Sequence, residues 1–419
     1  MSKLLIEESP PLCGRVRISG SKNAVLPILA ATLLTDEPCV IQEVPPLTDV
    51  FVMQNLIEDF GGQTAWDAKK ETMTVTARHI ARTEAAYDLV SRMRASFLTM
   101  GPLLARCGRM RAPLPGGCAI GARPVDQHLK GFAALGAEVT QEHGYVSVQA
   151  DRLTGATIYL DFPSVGATEN IMMAAALADG QTIIQNCANE PEIVDLANFL
   201  VTIGAEIRGA GTDTIRINGK RSLRGGTYSV IPDRIEAGTF MLAAAATRGD
   251  IVLENIVSDH LKSTVAKLRE ANILIDEHDD GLHIYGGSVA RAVDIKTLPY
   301  PGFPTDMQAQ FMGFLAVTQG SGVVIETVFE NRFMHVGELK RMGAEIKVDS
   351  RSAVVEGVHR LTGTQVRATD LRAGAALVVA GLTAAGATEV SDVFHIDRGY
   401  CGFDEKLRQL GARIVRVEG

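Results

Sequence analysis

Two hydrophobic patterns alternate along the chain. In the first, an apolar helical stretch ends in Gly-Ala or a close variant, and a strand of alternating polarity follows. This junction recurs six times, every 67 to 75 residues, at Gly61, Gly136, Gly204, Ala271, Gly343 and Gly411. Because glycine after the last helical residue readily adopts the left-handed conformation that ends a helix, the pattern predicts six helix-to-strand junctions.

The second pattern consists of alanine-rich helices that are apolar on nearly every face. Each ends in a small or polar residue before a β-branched strand, and the six segments are 25–34, 96–108, 171–177, 240–246, 311–317 and 376–384. Helices that are apolar all round are buried rather than amphipathic. The two patterns predict an α/β protein of six repeats, each about 70 residues long, with two helices and several short strands per repeat. We expect the helices inside and the strands outside.

Six repeats divide most simply into two domains of three repeats each. A chain of 419 residues is too long for a single hydrophobic core. The segments 19–22 and 231–234 are predicted to be the two places where the chain crosses from one domain to the other. We therefore expect one domain to comprise residues 22–232 and the other to join residues 1–21 to 233–419.

Charge and cysteine usage narrow the functional classes. The formal net charge is −8, and no basic tail or stripe occurs, which argues against general nucleic-acid binding. A few arginines in a cleft can still attract a small anion. No run of 18 apolar residues occurs, so we expect no membrane segment. The six cysteines form no CxxC pair and no zinc pattern, which favours a reducing cytoplasm.

The segment around Cys118 is the most informative chemical feature. Glycines at 116, 117 and 121, with prolines at 115 and 124, leave little room for a regular helix or strand. Arg123 follows Cys118 by five residues, and a nearby cation stabilises a thiolate. The segment 112–124 is therefore predicted to be a loop that carries a reactive thiol. The alternative is a half-buried cysteine in a tight turn.

Other charged residues recur between a strand end and a helix start, where anion sites form. Lys22 follows Ser19-Gly-Ser at the start of an apolar helix, and Asp306 precedes the apolar segment 311–317. Asp306 is either an ordinary first-turn carboxylate or a general base. Arginines recur in comparable positions, where each alone could be a surface residue, and they are Arg94, Arg332, Arg372 and Arg398.

These residues occur in runs that resemble one enzyme family, the UDP-N-acetylglucosamine 1-carboxyvinyltransferases, also called UDP-GlcNAc enolpyruvyl transferases. The resemblance extends over essentially the whole chain. Its Pro-Gly-Gly-Cys loop is specific, because the related shikimate-pathway enolpyruvyl transferases share the fold without this cysteine. The matching runs are SGSKNA at 19–24, MRAS at 93–96, PGGCAIGARPVD at 115–126, SVGAT at 164–168, DRIEAGTF at 233–240, PTDMQAQF at 304–311, ENRFMH at 330–335 and IDRGY at 396–400.

The resemblance implies a reaction and a fold. Enolpyruvate would pass from phosphoenolpyruvate to the 3-hydroxyl of UDP-N-acetylglucosamine, and phosphate would leave, by addition and elimination through a tetrahedral intermediate. This is the first committed step of peptidoglycan synthesis. The implied fold is a two-domain inside-out α/β barrel with the active site in the cleft between the domains. The resemblance implies no metal or organic cofactor, and the expected partners are the two small-molecule substrates, with no nucleic acid and no membrane.

The resemblance also assigns roles to residues. Cys118 matches the proton donor, which can hold a covalent phosphoenolpyruvate adduct, and Asp306 matches the carboxylate that faces the sugar hydroxyl. Groups that hold the phosphate and carboxylate of phosphoenolpyruvate are matched by Lys22, Arg123 and Arg398, with Arg332 and Arg372 as further carboxylate contacts. The nucleotide-sugar site is matched by Asn23, Arg94, Arg123, Pro124, Val125, Asp126, Gln127, Ser164, Val165, Gly166 and Val328.

The chain departs from some family members at two positions beside the nucleotide. Thr48 and Phe162 stand where those members carry lysine. Phe162 could instead stack on or pack against the uracil base. Neither position touches the reacting atoms, so uridine affinity is affected more than chemistry.

Three other functions are weighed against this one. A 3-phosphoshikimate enolpyruvyl transferase is disfavoured by the cysteine loop and by the run 123–126. A catalytically silent paralogue that senses UDP-GlcNAc would be free to lose Cys118, Asp306 and Lys22, which are all present. A cysteine acyltransferase would need a histidine base beside the thiol, and the sequence places none there.

Overall fold

The computed structural model describes residues 2–114, 121, 124–278 and 281–418, and it leaves out the side chains of Ser91 and Arg92. The described residues form two compact units. Within the described ranges, the first unit contains residues 20–114 and 124–231, and the second contains residues 2–19, 121 and 232–418. In the part of the chain that is described, every helix is too short or too polar to cross a bilayer.

Six small sheets form the outer layer, three in each unit. The strands of the first unit, in their order across each sheet, are Gly226–Ser229, Cys39–Gln42, Thr72–Thr76 and Gln63–Asp67; Glu206–Arg208, Thr214–Asn218, Gln181–Gln185 and Thr157–Tyr159; and Arg109–Pro113, Tyr145–Gln149 and Glu138–Glu142. Those of the second unit are Gln365–Arg367, Ala387–Ser391, Lys3–Glu7 and Ile414–Val417; Leu274–His278, Gly281–Tyr285, Asp250–Glu254 and Cys13–Arg17; and Ile295–Lys296, Ser321–Ile325, Ser352–Glu356 and Glu345–Asp349.

The sheets share one topology, which confirms the predicted α/β fold of six repeats. In each four-stranded sheet an edge strand pairs in parallel with the strand that follows a central helix, and the other two pairings are antiparallel. The sheet of strand Arg109–Pro113 has three strands, and an isolated parallel bridge from Glu84 to Arg111 replaces the fourth. Among the described strands the six sheets stay separate, and none closes into a barrel.

Buried helices occupy the centre of each unit, as their apolar sequences predict. In the second unit the three central helices pack against one another, and helix Arg234–Thr247 is buried on all its faces. The central helices are Lys22–Ala31, Met100–Cys107 and Val165–Ala175 in the first unit, and Arg234–Thr247, Gln308–Leu315 and Leu371–Gly381 in the second. The outer helices are Thr48–Asp59, Asp126–Ala134, Pro191–Thr202, Lys262–Glu270, Val336–Arg341 and Phe403–Gln409, and two short ones are Tyr87–Arg92 and Phe394–Asp397.

Short 3₁₀ turns adjoin several of these helices. The segment predicted as one helix over 96–108 is in fact the 3₁₀ helix Arg94–Thr99 followed by the α-helix Met100–Cys107. A 3₁₀ turn at Thr305–Met307 precedes helix Gln308–Leu315. The other two 3₁₀ turns are Thr32–Leu34 and Ser258–Leu261.

The predicted helix-to-strand junctions carry left-handed residues, with one correction. Five of them are glycines with φ between 90° and 108°, and these are Gly61, Gly136, Gly204, Gly343 and Gly411. In the fourth repeat the left-handed residue is Asn272, with φ of 70°, whereas Ala271 has an ordinary φ of −75°. The alignment of Ala271 with the glycines was therefore wrong by one residue. Asparagine fits because, after glycine, it is among the residues that best tolerate this conformation.

Candidate active site

The predicted carboxylate Asp306 lies between two arginines of the second unit. It belongs to the 3₁₀ turn Thr305–Met307, and its side chain is 26% exposed. Its Oδ1 accepts a hydrogen bond of 2.9 Å from Arg332 Nη2, and its Oδ2 accepts one of 2.9 Å from Arg372 Nη2. Both arginines are buried. The arrangement is thus a partly accessible carboxylate on two buried cations, which we call the Asp306 clamp.

The start of helix Leu371–Gly381 fixes Arg372 in the clamp. The side chain of Asp370 caps this helix by accepting hydrogen bonds from the backbone N–H groups of Arg372, at 2.9 Å, and Ala373, at 3.1 Å. Burial disfavours the charged guanidinium, but the charge and hydrogen bond of Asp306, together with the nearby Tyr400 and Asp233, outweigh burial, and the net effect raises the pKa of Arg372. Arg372 therefore remains charged over the whole working pH range.

A buried histidine lies beside the other arginine of the clamp. Burial lowers the pKa of His335 to about 4, with a further lowering from the charge of Arg332 and an opposing effect of Asp370. Its Nε2 has no hydrogen-bond partner among the described residues. His335 is therefore neutral at pH 7 and adds no positive charge to the clamp.

A polar network beneath the clamp was not predicted from the sequence. Gln310 donates from Nε2 to the backbone oxygen of Asp306, at 2.9 Å, and to the hydroxyl of Tyr400, at 3.1 Å. The Tyr400 and Thr239 hydroxyls lie 2.9 Å apart. These residues come from three separate parts of the chain, and polar residues in otherwise apolar helices, such as Gln310 and Thr239, were the available clue.

A buried carboxylate, Glu326, organises the loop that carries Val328. It accepts hydrogen bonds from the backbone N–H of Val328, at 2.8 Å, and of Phe329, at 3.1 Å. It also accepts from the hydroxyls of Thr297, at 2.9 Å, and Thr305, at 3.0 Å. Glu326 therefore ties this loop to the turn that contains Asp306. The sequence reasoning missed it, although an acidic residue directly after an apolar strand was visible.

Two other predicted residues of the second unit, Val328 and Arg398, are not part of the Asp306 clamp. Val328 is 37% exposed, so its side chain is available to a ligand. Arg398 is half-buried at the end of helix Phe394–Asp397. Burial lowers the pKa of the adjacent His395, and the charge of Arg398 lowers it further.

In the first unit, Lys22 is the first residue of the central helix Lys22–Ala31. Its Nζ lies 2.7 Å from Asp49 Oδ2, and the Asp49 side chain is only 3% exposed. The next residue, Asn23, is exposed. The structure thus gives the lysine a buried counterion that the sequence reasoning had not assigned.

Arg94 lies near a buried histidine whose protonation is defined by its neighbours. Asn170 Oδ1 accepts from the Gly101 N–H at 2.7 Å, and its Nδ2 donates to the Phe97 carbonyl at 3.0 Å. The same Nδ2 lies 3.0 Å from His128 Nδ1, which must therefore be the unprotonated acceptor. Burial, together with the charge of Arg94, lowers the pKa of His128 to about 3. His128 is consequently neutral and carries its proton on Nε2.

Several of the predicted nucleotide-sugar residues lie around the starts of two further helices of this unit, Asp126–Ala134 and Val165–Ala175. Ser164 caps helix Val165–Ala175 by accepting from the Ala167 N–H at 3.4 Å, and a Cβ on Gly166 would lie 3.2 Å from the His128 ring. The Gln127 amide donates to Asp161 Oδ2 at 2.8 Å and accepts from the Asp161 N–H at 2.9 Å. Asp161 precedes Phe162, which is 46% exposed.

Around the start of helix Asp126–Ala134, the other predicted residues differ in exposure. Val125 is buried, whereas Pro124 and Asp126 are exposed. Cys118 and Arg123 lie outside the described residues, as does most of the predicted loop 112–124. Their predicted roles remain predictions.

The fold defines the class of protein. The structure is similar to the enolpyruvyl transferase NikO from Streptomyces tendae, with a TM-score of 0.90 and 28% identity over 100% of this chain and 99% of that one. An EPSP synthase from Acinetobacter baumannii shares the fold, with a TM-score of 0.78 and 18% identity over both complete chains. The model of the EPSP synthase (3-phosphoshikimate 1-carboxyvinyltransferase) family matches residues 6–407. The fold is therefore that of the enolpyruvyl transferases.

Sequence relatives identify the family within that class. A protein of Caldanaerobacter subterraneus, UDP-N-acetylglucosamine 1-carboxyvinyltransferase 1, is 60% identical over 415 residues, which are 99% of each chain. UDP-N-acetylglucosamine 1-carboxyvinyltransferase 2 of Carboxydothermus hydrogenoformans is 58% identical over 100% of each chain. The chain belongs to the UDP-N-acetylglucosamine 1-carboxyvinyltransferases, as its sequence motifs predicted.

Proposed function

We propose that the protein transfers the enolpyruvyl group of phosphoenolpyruvate to the 3-hydroxyl of UDP-N-acetylglucosamine and releases phosphate. This reaction begins peptidoglycan synthesis and takes place in the cytoplasm. The observation that carries the proposal is the 60% identity, over nearly all of both chains, to a relative named for this activity. The Asp306 clamp supports it, because it supplies both a carboxylate and two cations at one place.

The clamp fits the charges of the reaction. In the addition step, C3 of phosphoenolpyruvate gains a proton, and the sugar oxygen bonds to C2 as its own proton leaves. We assign that proton to Asp306, because a carboxylate within hydrogen-bond reach of the hydroxyl is a suitable general base. In the elimination step, C3 loses a proton and the bond from C2 to the phosphate oxygen breaks. We assign the acid at C3 to Cys118.

The two buried arginines explain how one site accommodates both Asp306 and an anionic substrate. Each guanidinium donates to Asp306 in the structure, and each retains further N–H donors. We infer that the carboxylate of phosphoenolpyruvate takes some of the hydrogen bonds of Arg332 and Arg372. Asp306 would then share its cations with the substrate and become a stronger base. Bidentate pairing between guanidinium and carboxylate groups makes such an exchange favourable.

The nucleotide sugar is assigned to the residues of the first unit. Ser164 and Gly166 at a helix start, with the rigid pair Gln127 and Asp161, would hold the sugar nucleotide. Phe162 offers an exposed aromatic face for the uracil. Lys22 would contact the phosphate of phosphoenolpyruvate. The division of these roles between two domains, with the active site in the cleft between them, is part of the proposal.

Phosphate release from phosphoenolpyruvate tests the proposal directly. With UDP-N-acetylglucosamine as acceptor we expect turnover, and with shikimate 3-phosphate we expect none. Turnover with shikimate 3-phosphate but not with UDP-N-acetylglucosamine would show that the proposed acceptor is wrong. Tight binding of UDP-N-acetylglucosamine without any phosphate release would instead indicate a sensor.

A further inference from the structure

A cavity of about 1060 Å³ lies in the first unit, at the opposite end of its central helices from the residues discussed so far. Lys22, Arg94 and Ser164 lie at the starts of these helical segments, whereas the cavity is lined by their ends, at Leu34 and Cys107. From residue 22 to residue 34 the chain rises roughly 18 Å at 1.5 Å per residue. The cavity is therefore separate from the candidate active site of this unit.

The walls of the cavity are cross-linked by hydrogen bonds. Arg106 donates from Nη1 to the carbonyls of Leu33 and Thr35, both at 2.9 Å. The buried Thr35 hydroxyl donates to the Leu223 carbonyl at 2.9 Å. These bonds join three chain segments that are distant in sequence. A recess held in this way is preformed, so a ligand need not order it on binding.

The rim of the cavity carries unused charges of both signs. Arg109 and Arg221 are exposed on the rim, and within the described part of the chain neither forms an ion pair. Asp36 and Asp151 are also exposed on the rim, and neither forms an ion pair with another described residue. Arg152 also lies there and pairs with Asp179. The lining includes four arginines and two aspartates, so it is locally positive in a chain whose net charge is −8.

The distribution of donors and acceptors selects a class of ligand. Guanidinium groups are the preferred partners of phosphate oxygens, so the exposed Arg109 and Arg221 make the rim suited to a phosphate. The floor is formed by helix C-terminal ends, which present carbonyl oxygens and a negative partial charge. A phosphate is therefore disfavoured at the floor, whereas hydroxyl groups can donate to the carbonyls there and to Asp36 and Asp151.

We propose that this cavity is a second ligand site, distinct from the catalytic one, which binds a phosphorylated sugar. Its phosphate binds Arg109 and Arg221 at the rim, and its hydroxyl groups point into the recess. The site does not depend on the proposed reaction, since none of its residues belongs to the candidate active site.

Cys107 provides a local reporter, because its half-buried thiol lines the cavity. The rate of its alkylation by iodoacetamide would be followed by peptide mass spectrometry, with saturating UDP-N-acetylglucosamine present to occupy the active site. The exposed Cys13 of the second unit is the internal control. Glucose 6-phosphate is the probe, and glucose and inorganic phosphate are each tested alone for comparison. At about ten times its Kd, the probe should slow alkylation of Cys107 about tenfold and leave Cys13 unchanged.

Charge-reversal variants decide whether the arginines bind the phosphate. In the double variant Arg109→Glu with Arg221→Glu, the affinity for glucose 6-phosphate should fall about tenfold or more. The matched control is Arg216→Glu, since Arg216 is an exposed strand residue of the same unit that does not line the cavity. The double variant Arg109→Gln with Arg221→Gln is a milder second test, because it removes both positive charges without adding negative ones. Phosphate release by all variants should equal that of the parent, which separates this test from that of the proposed function.

Three results would overturn the inference. One is unchanged alkylation of Cys107 at millimolar glucose 6-phosphate. Another is equal protection by inorganic phosphate alone, which would indicate a simple anion site without sugar recognition. The third is undiminished protection in both double variants, because the rim arginines would then have no part in binding.

Discussion

Replacement of Asp306 by asparagine separates a catalytic carboxylate from a structural counterion. The substitution keeps the shape of the side chain and removes its charge. Asparagine retains one acceptor oxygen, so one of the two hydrogen bonds from Arg332 and Arg372 is lost. If Asp306 is the general base, turnover should fall about 10²- to 10⁴-fold. The KM for UDP-N-acetylglucosamine should change little, because the proposed nucleotide site consists of other residues, in the first unit.

The same substitution has a predictable cost in stability. A hydrogen bond to a charged group contributes about 1.5–3 kcal/mol, and one such bond is removed. We therefore expect the free energy of unfolding, measured by urea denaturation, to fall by about 1.5–3 kcal/mol. Asp404→Asn is the control, because Asp404 is a buried carboxylate outside the Asp306 clamp that also accepts a hydrogen bond from an arginine, at 2.8 Å from Arg416. It should keep its turnover and lose less stability, because asparagine can still accept the single hydrogen bond from Arg416.

Phosphate release and urea denaturation together decide the role of Asp306. A loss of rate in Asp306→Asn with normal rate in Asp404→Asn supports the general base. A normal rate in Asp306→Asn, with the expected loss of stability, would refute the assignment and leave Asp306 as a counterion for the two arginines.

Three other substitutions test separate parts of the molecule. Cys118→Ser should abolish most phosphate release while Cys118→Asp retains part of it, since a carboxylic acid can replace a thiol as proton donor; equal activity of all three proteins would exclude this role. Glu326→Gln should lower the unfolding free energy by about 2–3 kcal/mol, because a buried amide cannot accept from all four donors; the exposed Glu356→Gln should change it little, and similar values for both would contradict the account. The pKa of His128 is lowered to about 3, so the unfolded chain binds a proton there below pH 6.5 while the native state does not. Stability should therefore fall as the pH drops, by about 1–2 kcal/mol between pH 6.5 and 5, and His128→Asn should remove this slope in denaturation experiments; identical slopes would show that His128 is protonated in the fold.

Repetition of patterns made the architecture predictable. Helices that are apolar on every face can be stable only in a core, and a left-handed residue must follow each outer helix, so sequence alone predicted six repeats. The one misplaced junction, at Ala271, arose because this alanine, rather than the asparagine after it, was aligned with the glycines of the other repeats. Asn272 performs the same backbone role, as its φ of 70° shows.

The candidate site was predictable only in part. Its charged residues were proposed because they lie between a strand end and a helix start and match family motifs. Their partners were not, because a partner is chosen by distance in space rather than in sequence. Asp49 is close to Lys22, and Asn170 is close to His128, only after separate helices have packed.

Sequence by itself determined the family and the six repeats and proposed the residues that bear the chemistry, since these depend on local periodicity and on motifs of neighbouring residues. Tertiary structure alone decided which charges meet. It joined Asp306 to Arg332 and Arg372, which are 26 and 66 residues away, and among the described residues it left Arg109 and Arg221 without an ion pair on the rim of a cavity. The physical reason is that an electrostatic interaction depends on separation and burial, and both are set only when distant segments pack together.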